Sequence, residues 1–182
     1  MRKIWTTILI IFILLFTNDL HSQGFEKNQF TVSANIGVEK NKLANMDNTN
    51  YHFGLDGNLF ISNNTSVGFC FGVTDIKDIK NNFFIKMKSN YYATPKRKFS
   101  VFGSISAGYF EFKSENILFK GYDFDIAPGI NYFISNELAI NASFGRLGYR
   151  KYKSDINQSI TTDELKLQLN LSQINFGLLY RL

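Results

Sequence analysis

The chain has 182 residues with 20 Lys and Arg against 15 Asp and Glu, a net charge of +5, so its length leaves room for one domain behind a processing signal. The excess of positive charge is mild and dispersed, and no stretch couples clustered Lys or Arg to a helix suited to a groove, which excludes nucleic acid as a partner. The single cysteine, Cys70, has no partner for an intramolecular disulfide.

The first element is a leader. Met1, Arg2 and Lys3 form a basic start, and the 13 residues from Ile4 to Phe16 carry no charge, which is the pattern of a secretory signal. A spanning helix needs about 20 apolar residues, so a cleaved signal peptide is expected over residues 1–22, with cleavage after Ser22 or Gln23, and one barrel domain over residues 23–182. No cysteine lies there to carry a lipid. Loss of residues 1–22 removes Arg2, Lys3 and Asp19 and leaves 18 basic and 14 acidic residues, a net charge of +4.

Beyond residue 28 a period of two dominates, and an alternating pattern of this kind marks strands with one apolar face. The first strand sets Phe30, Val32, Ala34, Ile36 and Val38 against Thr31, Ser33, Asn35 and Gly37. The second sets Tyr51, Phe53, Leu55, Leu59 and Ile61 against His52, Gly54, Asp56 and Asn58. The third sets Val67, Phe69, Phe71 and Val73 against small residues, Cys70 among them. A fourth, over about 82 to 93, places Phe83, Ile85, Met87 and Tyr91 opposite Phe84, Lys86, Lys88 and Asn90. The fifth, 99 to 110, places Phe99, Val101, Ile105, Ala107 and Tyr109 opposite serines and Gly108. In the sixth, 121 to 134, Tyr122, Phe124, Ile126, Ile130, Tyr132 and Ile134 face away from Asp123, Asp125, Gly129 and Asn131. Pro128 should mark a bulge or a missing ladder bond there. The seventh, from Leu138, loses phase at GRLGYR. In the eighth, the apolar set moves from odd positions (Leu165 to Leu171) to even ones (Ile174 to Leu182), which calls for one extra residue near Ser172 and Gln173.

Connection lengths alternate as well. Long ones are expected at 39–50, 75–81, 111–120 and 146–162, and short ones at 62–64, 94–98 and 135–137. Long loops on one rim and tight turns on the other are the mark of a transmembrane barrel. A soluble barrel with its apolar face turned inward around a ligand is the alternative. The second face decides against it: Gly, Ser, Asn and Thr suit a crowded lumen better than a solvated exterior. Tyr51, Phe83, Tyr91, Phe99, Tyr109, Tyr122, Tyr132 and Tyr180 then sit near strand ends as interfacial girdles. Because an unpaired amide in hydrocarbon costs several kcal/mol, the last strand must pair with the first.

From about Gln23 onward the chain resembles the small outer-membrane β-barrel domains of Gram-negative bacteria, and FGLLYRL is similar to the C-terminal signal read by the barrel-insertion machinery. Leu182 departs from the aromatic residue usual there, whereas Phe176 and Tyr180 match. The resemblance implies an all-β fold, an eight-stranded antiparallel up-and-down transmembrane β-barrel, export through the inner membrane and residence in the outer membrane.

Catalytic chemistry is not indicated. His52 stands on the lumen face with Asp56 four residues along, about 13 Å away at strand rise, too far to orient it; no metal-ligand spacing, glycine-rich phosphate loop or cofactor motif occurs. The lumenal charges Asp56, Lys86, Lys88, Asp123 and Asp125 are expected to form a mainly structural ion-pair network, because two lysines on one strand need carboxylates within about 4 to 6 Å, and the network is expected to fill the barrel and leave no water path. The expected role is non-enzymatic, structural or surface-interacting, with a porin-like channel and a lipid-modifying enzyme as rivals. Outer-membrane lipids are the expected surroundings, and the basic residues Lys40, Lys42, Lys77, Lys80, Lys113, Arg150, Lys151 and Lys153 offer charge to lipopolysaccharide phosphates.

Overall fold

The protein's computed structural model describes residues 24–43, 46–75, 79–114, 117–155, 161–168 and 173–182. The leader expected over residues 1–22 lies outside them. Ten strands follow in order: β1 (Phe30–Leu43), β2 (Met46–Phe60), β3 (Thr65–Asp75), β4 (Ile79–Tyr92), β5 (Phe99–Ser114), β6 (Ile117–Phe133), β7 (Leu138–Phe144), β8 (Arg146–Ser154), β9 (Thr161–Gln168) and β10 (Gln173–Arg181). β6 pairs with β7 and then with β8, while β10 pairs with β7 and β9 with β8. β7 with β8, and β9 with β10, are therefore halves of two interrupted staves. The result is a closed antiparallel barrel of eight staves, all-β among the described residues.

Closure runs through the seam between β1 and β10, in register from Thr31↔Arg181 to Glu39↔Gln173. Pairing there leaves neither strand with an open edge, which hydrocarbon would penalise.

The outward face is greasy along every stave. Phe69 is 57% exposed and Met87 65%, whereas Phe60 and Phe133 are wholly buried. An exposed apolar band of this extent is unstable in water and stable against acyl chains. Phe83, Tyr109 and Tyr122 touch in sequence around the outside, with ring centroids 6.3 and 5.6 Å apart, and form part of one girdle.

The turns on one rim are short, at 61–64, 93–98 and 134–137. On the other rim most of the expected long loops are strand: β1 runs on to Leu43 and β2 starts at Met46, β5 runs on to Ser114 and β6 starts at Ile117. The alternation stops at Val38 because beyond the hydrocarbon no lipid selects apolar outward residues. Backbone pairing needs no such selection, so the hairpins continue.

Two register changes explain the lost phase. From Gly129 to Ile126 β6 moves three residues while its partner moves four, Ser143 to Leu147. Gly145 is the extra residue, with φ of 69°, a left-handed conformation that glycine adopts without penalty. Pro128 lies in β6 at this gap, where its missing N–H removes no ladder bond. On the next stave, Gln168 pairs with Arg146 and Ile174 with Phe144. The register changes between these two pairs, and the extra residue expected near Ser172 falls at residues 169–172, outside the described ones.

The core sits at one end. Phe25, Phe60, Tyr92, Phe102, Phe133, Ala139 and Leu179 form a buried cluster at the short-turn rim. Phe25 belongs to a strap preceding β1, and its ring lies 4.2 Å from Phe60, 4.5 Å from Tyr92 and 5.1 Å from Phe133, centroid to centroid. The strap is tied down by Phe25 N donating to Pro95 O at 3.2 Å, Asn28 N to Phe60 O at 2.7 Å, and Arg181 to the Gly24 carbonyl. Glycine is required at position 24, since a Cβ would stand 2.5 Å from Pro95 O.

Candidate functional site

Alternation turns every second residue of each stave inward, and above the aromatic floor these residues enclose a cavity of about 310 Å³. The lumen is therefore not filled from end to end by side chains. Its charged part has two centres. Lys86 Nζ on β4 lies 2.6 Å from Asp123 Oδ2 and 2.6 Å from Asp125 Oδ2 on β6, and Arg146 Nε on β8 stands 3.5 Å from Asp125 Oδ1. Lys88 Nζ lies 2.9 Å from Asp56 Oδ2, which also accepts from Ser33 Oγ at 3.4 Å. Thus Lys86 gathers both carboxylates of β6 and Lys88 takes the one from β2. With the side chains of Asp56 and Asp123 almost wholly enclosed, loss of a partner would strand a charge in a poorly solvated space.

His52 lines the cavity and contacts the Asn175 side-chain oxygen, while Asp56 is engaged by Lys88 and Ser33. Cys70 is a free thiol on the same wall. Among the described residues, no group of three or more His, Cys, Asp or Glu is placed to hold a metal ion.

The lining is rich in amides and incompletely satisfied. Buried oxygens of Asn50, Asn58, Asn90 and Asp123 have no hydrogen-bond partner within the protein, and all four residues line the cavity. Towards the outer rim one wall turns aromatic. Phe112 stacks on Phe119 at 4.7 Å and on Phe110 at 6.1 Å, with Tyr152 edge-on to all three, and the Arg150 guanidinium sits 5.0 Å above the Phe110 ring.

Three lumenal cations, Arg146, Arg150 and Lys166, escape a reading of the sequence by simple alternation. Arg150 in particular faces the lumen, not the outer surface expected of it; Lys151 and Lys153 are the exposed pair of that segment. The available signal was the phase change at Gly145, which makes even positions of β8 inward. Outside the barrel wall, Glu111 accepts from the Tyr109 hydroxyl and meets Lys120 at 3.1 Å. That hydroxyl contact, with Lys120 assisting, holds the Glu111 carboxyl below the usual carboxylate range.

No family model matches the chain, and no curated protein matches it. Solved structures do match in fold. The N-terminal β-barrel domain of Pseudomonas aeruginosa OprF superposes with a TM-score of 0.60 at 12% identity, over 86% of this chain and 98% of that one. The outer membrane protein OprG from the same organism gives 0.59 at 12% identity, over 88% and 99%. Neisserial surface protein A gives 0.59 at 10% identity, over 84% and 97%. The chain thus shares the architecture of small eight-stranded outer-membrane barrels, with little common sequence.

Proposed function

We propose that this protein is an integral outer-membrane barrel of a Gram-negative bacterium, exported behind a signal peptide, with a non-enzymatic role at the cell surface and no conducting path. The aromatic floor carries this reading. Phe25 and its neighbours bury their rings across the short-turn rim, the periplasmic side in the outer-membrane topology of short inner turns and longer outer hairpins. An eight-stranded barrel has little bore to begin with, and the strap fills what remains at that level. The outer half is left as a cup facing the exterior. Lys151 and Lys153, exposed on an outer hairpin, offer charge to lipopolysaccharide phosphates, and Phe176 and Tyr180 on β10 suit docking by the insertion machinery.

Planar-bilayer recording tests the reading. The refolded wild type should give no steady current, while Phe25→Ala combined with Phe60→Ala should give frequent open steps. Steady wild-type conductance would reject the closed floor in favour of a channel. Loss of a lipid A modification in a deletion strain, with loss of that activity in His52→Ala, would overturn the non-enzymatic role.

A further inference from the structure

We propose that the lumenal cup is a binding site for a small neutral polyhydroxyl solute, a saccharide of one or two rings, taken from the outer side. This rests on the reading of a cup closed beneath. At about 310 Å³ the cavity falls at the small end of the roughly 300–1,000 Å³ range of ligand pockets.

The ligand class follows from the lining. Four buried oxygens, on Asn50, Asn58, Asn90 and Asp123, have no donor in the protein, and each residue is at most 8% exposed. Buried acceptors of this kind are costly unless a donor reaches them. A cation would supply donors, but the cavity already holds five cationic side chains, Lys86, Lys88, Arg146, Arg150 and Lys166, against the carboxylates of Asp56, Asp123 and Asp125. Among the described residues that is an excess of two positive charges, which opposes a further one in a space where water screens poorly. An anion would suit that excess, yet it brings no donor to the orphaned oxygens and sets a negative charge beside them. A hydroxyl meets both conditions. It donates to the amide and carboxylate oxygens and accepts from amide N–H groups, lysines and arginines. An amide turned over in its socket would offer N–H in place of oxygen, and a hydroxyl answers that equally.

The aromatic wall supplies the rest. Phe84, Phe110 and Phe112 line the same cavity, and a sugar ring has a C–H face that such rings cover while its hydroxyls project toward the amides. Polar groups fixed around an apolar wall are the usual composition of a small-molecule site. Binding would also supply donors to the side-chain oxygens of Asn58 and Asn90 near the floor.

The test uses the mature chain refolded in phosphocholine micelles, since sugar-headed detergents would compete. D-glucose and maltose are titrated while the side-chain amide signals of Asn50, Asn58 and Asn90 are followed by NMR. Saturable shifts in these amides are expected with at least one sugar. Asn50→Leu and Asn58→Leu should each weaken binding about tenfold, the effect of one lost hydrogen bond of roughly 1.4 kcal/mol. Heat-modified gel migration reports that both variants remain folded, and Asn90→Leu serves as a further lining variant if either does not. Potassium phosphate and ethylammonium are the charged controls. Saturation by either control in preference to the sugars, or no saturation with glucose and maltose, would overturn the proposal. Because bilayer conductance is measured separately, a silent titration with a closed bilayer removes the sugar site alone, whereas an open bilayer removes the closed floor.

Discussion

The two ends of the lumen are built from the same inward positions of the same staves and solve opposite problems. At the short-turn end the inward positions of β2, β4, β5 and β6 are Phe60, Tyr92, Phe102 and Phe133, and Phe25 enters from outside the barrel to complete a dry cluster. Two residue pairs higher on β2, β4 and β5, and four on β6, the same staves present Asp56, Lys88, Ser106 and Asp125, and the interior becomes charged and roomy. The difference teaches that stave number sets the bore, while side-chain volume at each level decides whether a level is a seal or a chamber. A seal is made by interlocking rings, whose loss is a cavity; a chamber is held by charge pairs, whose loss is a stranded ion.

The largest effect should come from the seal. Phe60→Ala empties a wholly buried aromatic site and should cost about 4 kcal/mol, read by urea unfolding in micelles with gel migration as the probe. A loss under about 1 kcal/mol would mean the floor is not close-packed and would erase the contrast. In the chamber, Lys86→Met should cost about 2–3 kcal/mol, because two carboxylates lose the cation they share, with Arg146 retaining only part of Asp125. Adding Asp123→Asn should recover part of that loss, and a purely additive double variant would refute the coupling. The smallest effect belongs to the hairpins above the membrane. Glu111→Gln should change stability by no more than about 0.5 kcal/mol, since its partner Lys120 is half in solvent.

Which parts of this were legible follows from the same physics. Inside the hydrocarbon, every outward residue is selected by lipid, so Val67, Phe69, Phe71 and Val73 announce their face by alternation alone. Above the girdle that selection ends, and the paired hairpins of β1 with β2 and β5 with β6 look like loops in the sequence. Arg146 and Arg150 were hidden by one glycine: Gly145 shifts the phase, and without the register of β8 against β6 the parity of the following residues is undefined. Phe25 gave no periodic signal because it lies before the first strand and meets its partners only across the closed barrel.

The sequence by itself determined the eight staves, the inward and outward faces of those before Gly145, the short-turn rim and the inward placement of Asp56, Lys86, Lys88, Asp123 and Asp125, because pleat and solvent act on each residue locally. Only the tertiary structure decided which carboxylate meets which lysine, where the lumen is sealed and what volume remains above the seal. Those depend on shear, on slips at Gly145 and between Gln168 and Ile174, and on a strap folding under the barrel, all set by contacts between residues far apart in the chain.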